Sequence, residues 1–200
     1  MNLLQEPEVF VGVIGAIVSL VTLFLNVLVS IRTQRLARFL EVTEETLDFK
    51  KRQLDELYGP LLALIMQNKV LAERLKDTKG SDFELLDNLP GILEEIGISS
   101  VVELILQNNK RIERLLVTRS SLIRENYYPY SVTRFLGHCG ILKSATSSRP
   151  LEIRKPEDYY PNEFDSYVHE SYEELKKEVD GILSERTHLL GKKRGRVVHV

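Results

Sequence analysis

The chain is 200 residues long, with 27 Lys or Arg against 29 Asp or Glu and a formal net charge of -2. That near balance excludes bulk electrostatic attraction to nucleic acid, and no double-stranded nucleic acid is expected as a partner. A lone cysteine, Cys139, excludes an internal disulfide and suits a reducing cytosol better than a cystine-stapled exterior.

From Val9 to Ile31 the residues are apolar or small and carry no charge. About 20 such residues in a helix cross a hydrocarbon core of about 30 Å, so a single-pass transmembrane helix is predicted. A secretory signal peptide is the main competitor, but it wants a basic start, a shorter apolar core and a small-residue cleavage site. Here Glu6 and Glu8 come first and Arg32-Thr33-Gln34-Arg35 comes after. A buried core helix is the third reading, and a helix apolar on every face at the edge of a small domain has too little protein to surround it. Arg32, Arg35 and Arg38 follow the run, which predicts an outside N-terminus and a cytosolic C-terminal domain. The expected organisation is an N-terminal segment and anchor over 1–31, a stalk helix over 32–58, a helical cytosolic domain over 59–190 and a basic disordered tail over 191–200.

Within the apolar run, Gly12, Gly15, Ala16 and Ser19 repeat at the small-xxx-small spacing that lets two helix backbones approach closely, and Asn26 adds a polar group that gains from a partner. A homo-oligomer in a lipid bilayer is the corresponding expectation.

Beyond the anchor the apolar periodicity is helical. Leu40, Leu47, Leu54 and Leu61 recur every seven residues, with Leu36, Leu57, Leu64 and Leu71 in a companion row. A parallel coiled coil fits this row. So does an amphipathic helix seated on its own core, and Gly59-Pro60 interrupts the row, predicting a break with a second helix starting at Pro60. Ser81-x-x-Glu84 and Ser100-x-x-Glu103 have capping-box spacing. The second opens a helix expected over 101–124, whose apolar stripe is interrupted at Asn108 and Asn109. A turn at Asn126 to Pro129, a helix over 131–142, a loop from Ser144 to Tyr160 and a last helix opened by Pro161 follow. In that helix Phe164, Val168, Leu175, Val179 and Ile182 share a face. No stretch alternates with period two, so the fold class is all-α: one N-terminal transmembrane helix followed by a helical-bundle cytosolic domain.

Charge separates along this domain. Ser99 to Arg149 holds eight basic and three acidic residues, while Leu151 to Leu190 holds eleven acidic and five basic ones. The simplest reading is two layers that pack and compensate. The functional reading leaves part of the basic layer free for an anionic ligand, with Arg119, Arg124, Tyr130, Arg134 and His138 as the candidate binding residues. Arg134 and His138 are four apart and share a helix face, and Tyr127, Tyr128 and Tyr130 beside arginines suit stacked bases as well as a plain core edge. His138 next to Cys139 has no zinc spacing with His169, His188 or His199, so neither a metal nor another cofactor is expected. Cys139 reads as a small buried thiol. Asp165, Glu170, Glu173 and Glu174 read as a solvated acidic face, and no catalytic residue is expected.

Glu56-Leu57-Tyr58-Gly59-Pro60-Leu61 and Tyr160-Pro161-x-Glu163-Phe164-x-x-Tyr167 resemble segments of a loose group of bacterial single-span proteins with a helical cytosolic domain, over most of residues 40–185. The layout is also similar to that of small membrane effectors of bacterial antiviral defence. These likenesses imply a bacterial inner-membrane protein, and with no catalytic motif in the sequence the chain is expected not to be an enzyme. Its cytosolic domain would bind a cyclic oligonucleotide or a protein and drive oligomerisation of the anchor, disrupting the membrane. A scaffold tethering a cytosolic protein and a helical enzyme are the competing classes.

Overall fold

The computed structural model describes residues 7–89, 91–146 and 155–194. Every regular element in them is helical, because each apolar pattern has a helical period. They divide into two units, Met1–Leu47 and Asp48–Val200.

The first unit is the helical arm that begins α1 (Pro7–Gln53). Over residues 11–31 its large apolar side chains lie open on every side, with Val11 69%, Leu20 69% and Phe24 63% exposed. One helix here is long and apolar enough to cross a membrane, and none of its apolar window is buried in protein. Thr22 turns its hydroxyl back to the Val18 carbonyl at 2.8 Å, so this polar group asks nothing of its surroundings.

The second unit is a bundle of α2 (Gly59–Lys79), α4 (Ser99–Thr118), α5 (Tyr130–Ala145) and α6 (Asn162–Arg194), with a short α3 (Leu85–Asn88) between the first two. At Gly59-Pro60, where the sequence predicts a break, the helical path continues. Residues Leu54–Tyr58 widen into a π turn, and the Gly59 N–H donates to the carbonyl of Leu54. Proline lacks the N–H of the α ladder and crowds the preceding turn; one extra residue in that turn makes room without ending the helix. Gly59 is required there, since a Cβ on it would lie 2.8 Å from the Leu54 carbonyl oxygen.

Both expected capping boxes fail to form. Ser81 bonds its neighbour Asp82 at 3.1 Å, α3 starts only after Glu84, and α4 starts at Ser99 with no side-chain cap. The helix predicted to reach Arg124 stops at Thr118, followed by a short 3-10 turn at Ser120–Leu122. The last helix runs past Gly191 to Arg194, through the start of the predicted tail; 195–200 lie outside the described residues, as do residues 147–154 of the loop expected between Ser144 and Tyr160.

Two apolar clusters hold the bundle. The larger joins Leu57, Leu61, Leu116, Phe135, Phe164 and Leu175 with their neighbours, so the stretch of the leucine row from Leu54 to Leu64 seats on this unit's own core. Phe135 of α5 stacks on Phe164 of α6 with ring centroids 4.3 Å apart, which fixes those two helices side by side. The smaller cluster gathers Leu75, Leu86, Ile92, Val102, Ile105 and Leu142 at the other end of α2.

Between α2 and α4 lies a buried amide ladder. Asn68 Nδ2 donates to Asn109 Oδ1 at 2.8 Å, while Asn108 Nδ2 donates to Asn68 Oδ1 and Gln67 Oε1, each at 3.0 Å. The asparagines that interrupt the α4 stripe are thus interior residues that satisfy one another.

Candidate functional site

A cavity of about 780 Å³ opens among α2, α4, α5, the α3 segment and the start of α6. Apolar walls from Leu75, Leu86, Ile105 and Leu142 surround a few polar groups: Asn68, Lys69, Asn109, His138, Tyr160 and Asp165. Its volume and mixed lining fall in the range of small-molecule sites.

Each polar group is positioned by the fold. His138 is 5% exposed, and its ring lies edge-on to Tyr160 at 5.6 Å. Its Nδ1 is 2.8 Å from the Asp158 carbonyl oxygen. A carbonyl only accepts, so Nδ1 carries the proton and Nε2 holds a lone pair. Burial lowers the imidazole pKa, with the Arg134 charge adding to that and the Asp158 carbonyl opposing it, so the ring is neutral near pH 7. Tyr160 donates its hydroxyl to Asp165 Oδ1 at 2.5 Å, and burial together with that carboxylate pushes the phenol pKa far up. Lys69 reaches the other Asp165 oxygen at 3.1 Å. Asp165, read from sequence as part of a solvated face, is instead 8% exposed and tied into the cavity wall.

The sequence candidates fall into two groups. Arg134 and His138 share the α5 face that meets the segment before α6; Arg134 pairs with Glu163 and reaches the Glu157 carbonyl at 3.4 Å. Its Nε is the fully buried side-chain nitrogen without a partner among the described residues. Arg119 and Arg124 sit by the π turn: Arg119 is 3.2 Å from Glu56, and Arg124 pairs with Glu174 and, at 2.9 Å, with Glu178. Tyr130 stands at the start of α5, 73% exposed. Basic and acidic layers therefore compensate at Arg124 and Arg134. Cys139 is buried beside His138, its thiol pKa pushed up to about 12 by burial, which leaves it a poor nucleophile.

Sequence reading missed Asn68, Lys69, Asn109, Tyr160 and Asp165 as members of one site. They come from α2, α4, the segment before α6 and the start of α6, and only their packing joins them. The two quoted motifs also meet: Tyr58 and Tyr167 share a 2.8 Å hydrogen bond, Tyr58 accepts from the Arg124 N–H at 3.0 Å, and Tyr167 donates to Glu125 at 2.7 Å.

No family model, curated protein or solved structure matches the chain.

Proposed function

We propose that this chain is a single-pass membrane protein whose helical bundle senses a small molecule in the α2–α4–α5–α6 cavity and assembles the membrane helices in response. The observation that carries the reading is the conjunction, in one short chain, of a fully exposed apolar helix and a bundle with a polar-lined cavity. A helix without buried apolar surface needs a lipid solvent. Binding that favours one arrangement of the bundle shifts the population of assembled chains. Arg32, Arg35 and Arg38 orient the bundle to the cytosol, and a bacterial inner membrane with an effector role in antiviral defence is the setting the layout suggests. The activity is binding and assembly rather than catalysis.

Crosslinking of the full chain in native membranes tests this. Oligomers are expected for the wild type and fewer for the paired change Gly12→Ile and Ala16→Ile, because bulk at a close helix crossing separates the backbones. Growth arrest on overexpression is expected to fall in parallel. Unchanged oligomers and unchanged growth would remove the assembly mechanism.

The scaffold reading draws on a different surface. Lys110, Arg111 and Arg114 of α4 are exposed and lie near exposed Leu104 and Val117 on the same helix, a face suited to an acidic protein partner. Recovery of one dominant partner, lost on Arg111→Glu, with no effect of the anchor substitutions, would favour it.

A further inference from the structure

We propose that the cavity takes a neutral amphipathic molecule, an apolar body with an uncharged hydrogen-bond donor such as an amide or alcohol, which donates to Nε2 of His138. This deepens the cavity-sensor reading and rests on it.

Among the described residues the fully buried side-chain nitrogen or oxygen without a partner is Arg134 Nε. Nε2 of His138 makes no hydrogen bond among the described residues. The residue is 5% exposed overall. Because His138 lines the cavity, a molecule held there is placed beside its ring. With Nδ1 committed to the Asp158 carbonyl at 2.8 Å, the open nitrogen is an acceptor in search of a donor. The other polar groups of the wall are largely spent on one another: Tyr160 and Lys69 on Asp165, Asn68 on Asn108 and Asn109. A ligand thus meets the Nε2 acceptor of the buried His138 beside Phe83, Leu86, Ile105 and Leu142, with the exposed carboxylates of Glu73 and Glu84 also in the lining.

Charge decides the class. Glu73, Glu84 and Asp165 against Lys69 and Lys76 line the cavity, a slight acidic excess that repels phosphate or carboxylate. A cation would have to shed water among apolar walls, with Arg134 one turn away on α5 already carrying positive charge. An uncharged donor meets neither cost. A cyclic oligonucleotide, the ligand suggested by the basic layer, is disfavoured at this site.

The experiment uses the full chain in nanodiscs and three probes with the same tail: octanamide, octanoate and octylamine. Calorimetric titration is expected to detect octanamide, with affinity at least about tenfold above either charged probe, a difference of roughly 1.4 kcal/mol. Imidazole nitrogen resonances absent from the His138→Phe spectrum should shift on octanamide binding. His138→Phe should weaken octanamide at least about tenfold while its thermal melt shows that it remains folded. Leu86→Trp, which adds bulk to the cavity wall and leaves residue 138 unchanged, should abolish binding. Tighter binding of octanoate or octylamine that Leu86→Trp still blocks would overturn the neutral-donor class and leave the cavity reading standing. Binding of no probe, or binding indifferent to Leu86→Trp, would overturn both.

Discussion

Single residues in this bundle are defined by what they cannot give up. His138 is held neutral by burial. An unfolded chain takes up the imidazole proton near pH 6.5, whereas the folded ring resists it. Below that pH the unfolded state binds more protons, so stability falls as pH drops, and above it the residue contributes no slope. The groups around the ring are Arg134 on its own helix, Asp158 and Tyr160 from the segment before α6, and Lys69 and Asp165 across the cavity. Urea midpoints taken from about pH 7.5 to about pH 5.5 should decline less steeply in His138→Phe than in the wild type. Tyr58 offers a second test: its hydroxyl takes the Arg124 N–H and bonds Tyr167, so Tyr58→Phe leaves buried groups unpaired and should cost about 1 to 3 kcal/mol by urea unfolding. Neither role is legible in the sequence. Asn108 and Asn109 look like flaws in an apolar stripe, and Asp165 looks like one acid among many, because their partners Asn68, Tyr160 and Lys69 lie on other elements that only packing brings near.

Elements were far more legible than sites, and for a physical reason. A helix declares itself through apolar spacing within a few turns, so the all-α class, the α5 and α6 cores and the turn before Pro129 follow from local pattern. Helix ends were less so. Serine-to-glutamate spacing at Ser81 and Ser100 suggests caps, yet neither serine caps its helix; at the start of α4 the N–H groups of Ser99, Val101 and Val102 donate instead to the backbone carbonyls of Glu95 and Ile98. Gly59-Pro60 was read as a stop because proline removes a ladder bond, and the chain answers with a π turn. That turn makes Gly59 a sensitive position: Gly59→Ala places a methyl 2.8 Å from a backbone oxygen. Despite alanine's better helix propensity, the substitution should destabilise the bundle by about 1 to 3 kcal/mol, measured by denaturant unfolding. Ala63→Gly, on the exposed face of α2, should cost less, about 1 kcal/mol.

At the scale of the whole molecule, the apolar side chains divide into a covered set and an uncovered one. The Asp48–Val200 unit holds two apolar clusters away from water, while the apolar arm of α1 has nothing in the protein to cover it. Urea acts by making exposure to water less costly, and it has that leverage only where unfolding would reach water. In a bilayer the backbone of the arm has no hydrogen-bond partners but its own, so melting it would strand every amide. Reconstituted protein titrated with urea should therefore lose helical circular dichroism in one cooperative step and then level off above zero, with the remaining signal equal to that of an isolated peptide spanning residues 7–31 in the same lipid. A smooth decline to the coil baseline would count against a membrane-embedded arm. The exposed helix thus amounts to a built-in internal standard: a stretch whose order survives after the rest of the chain has none.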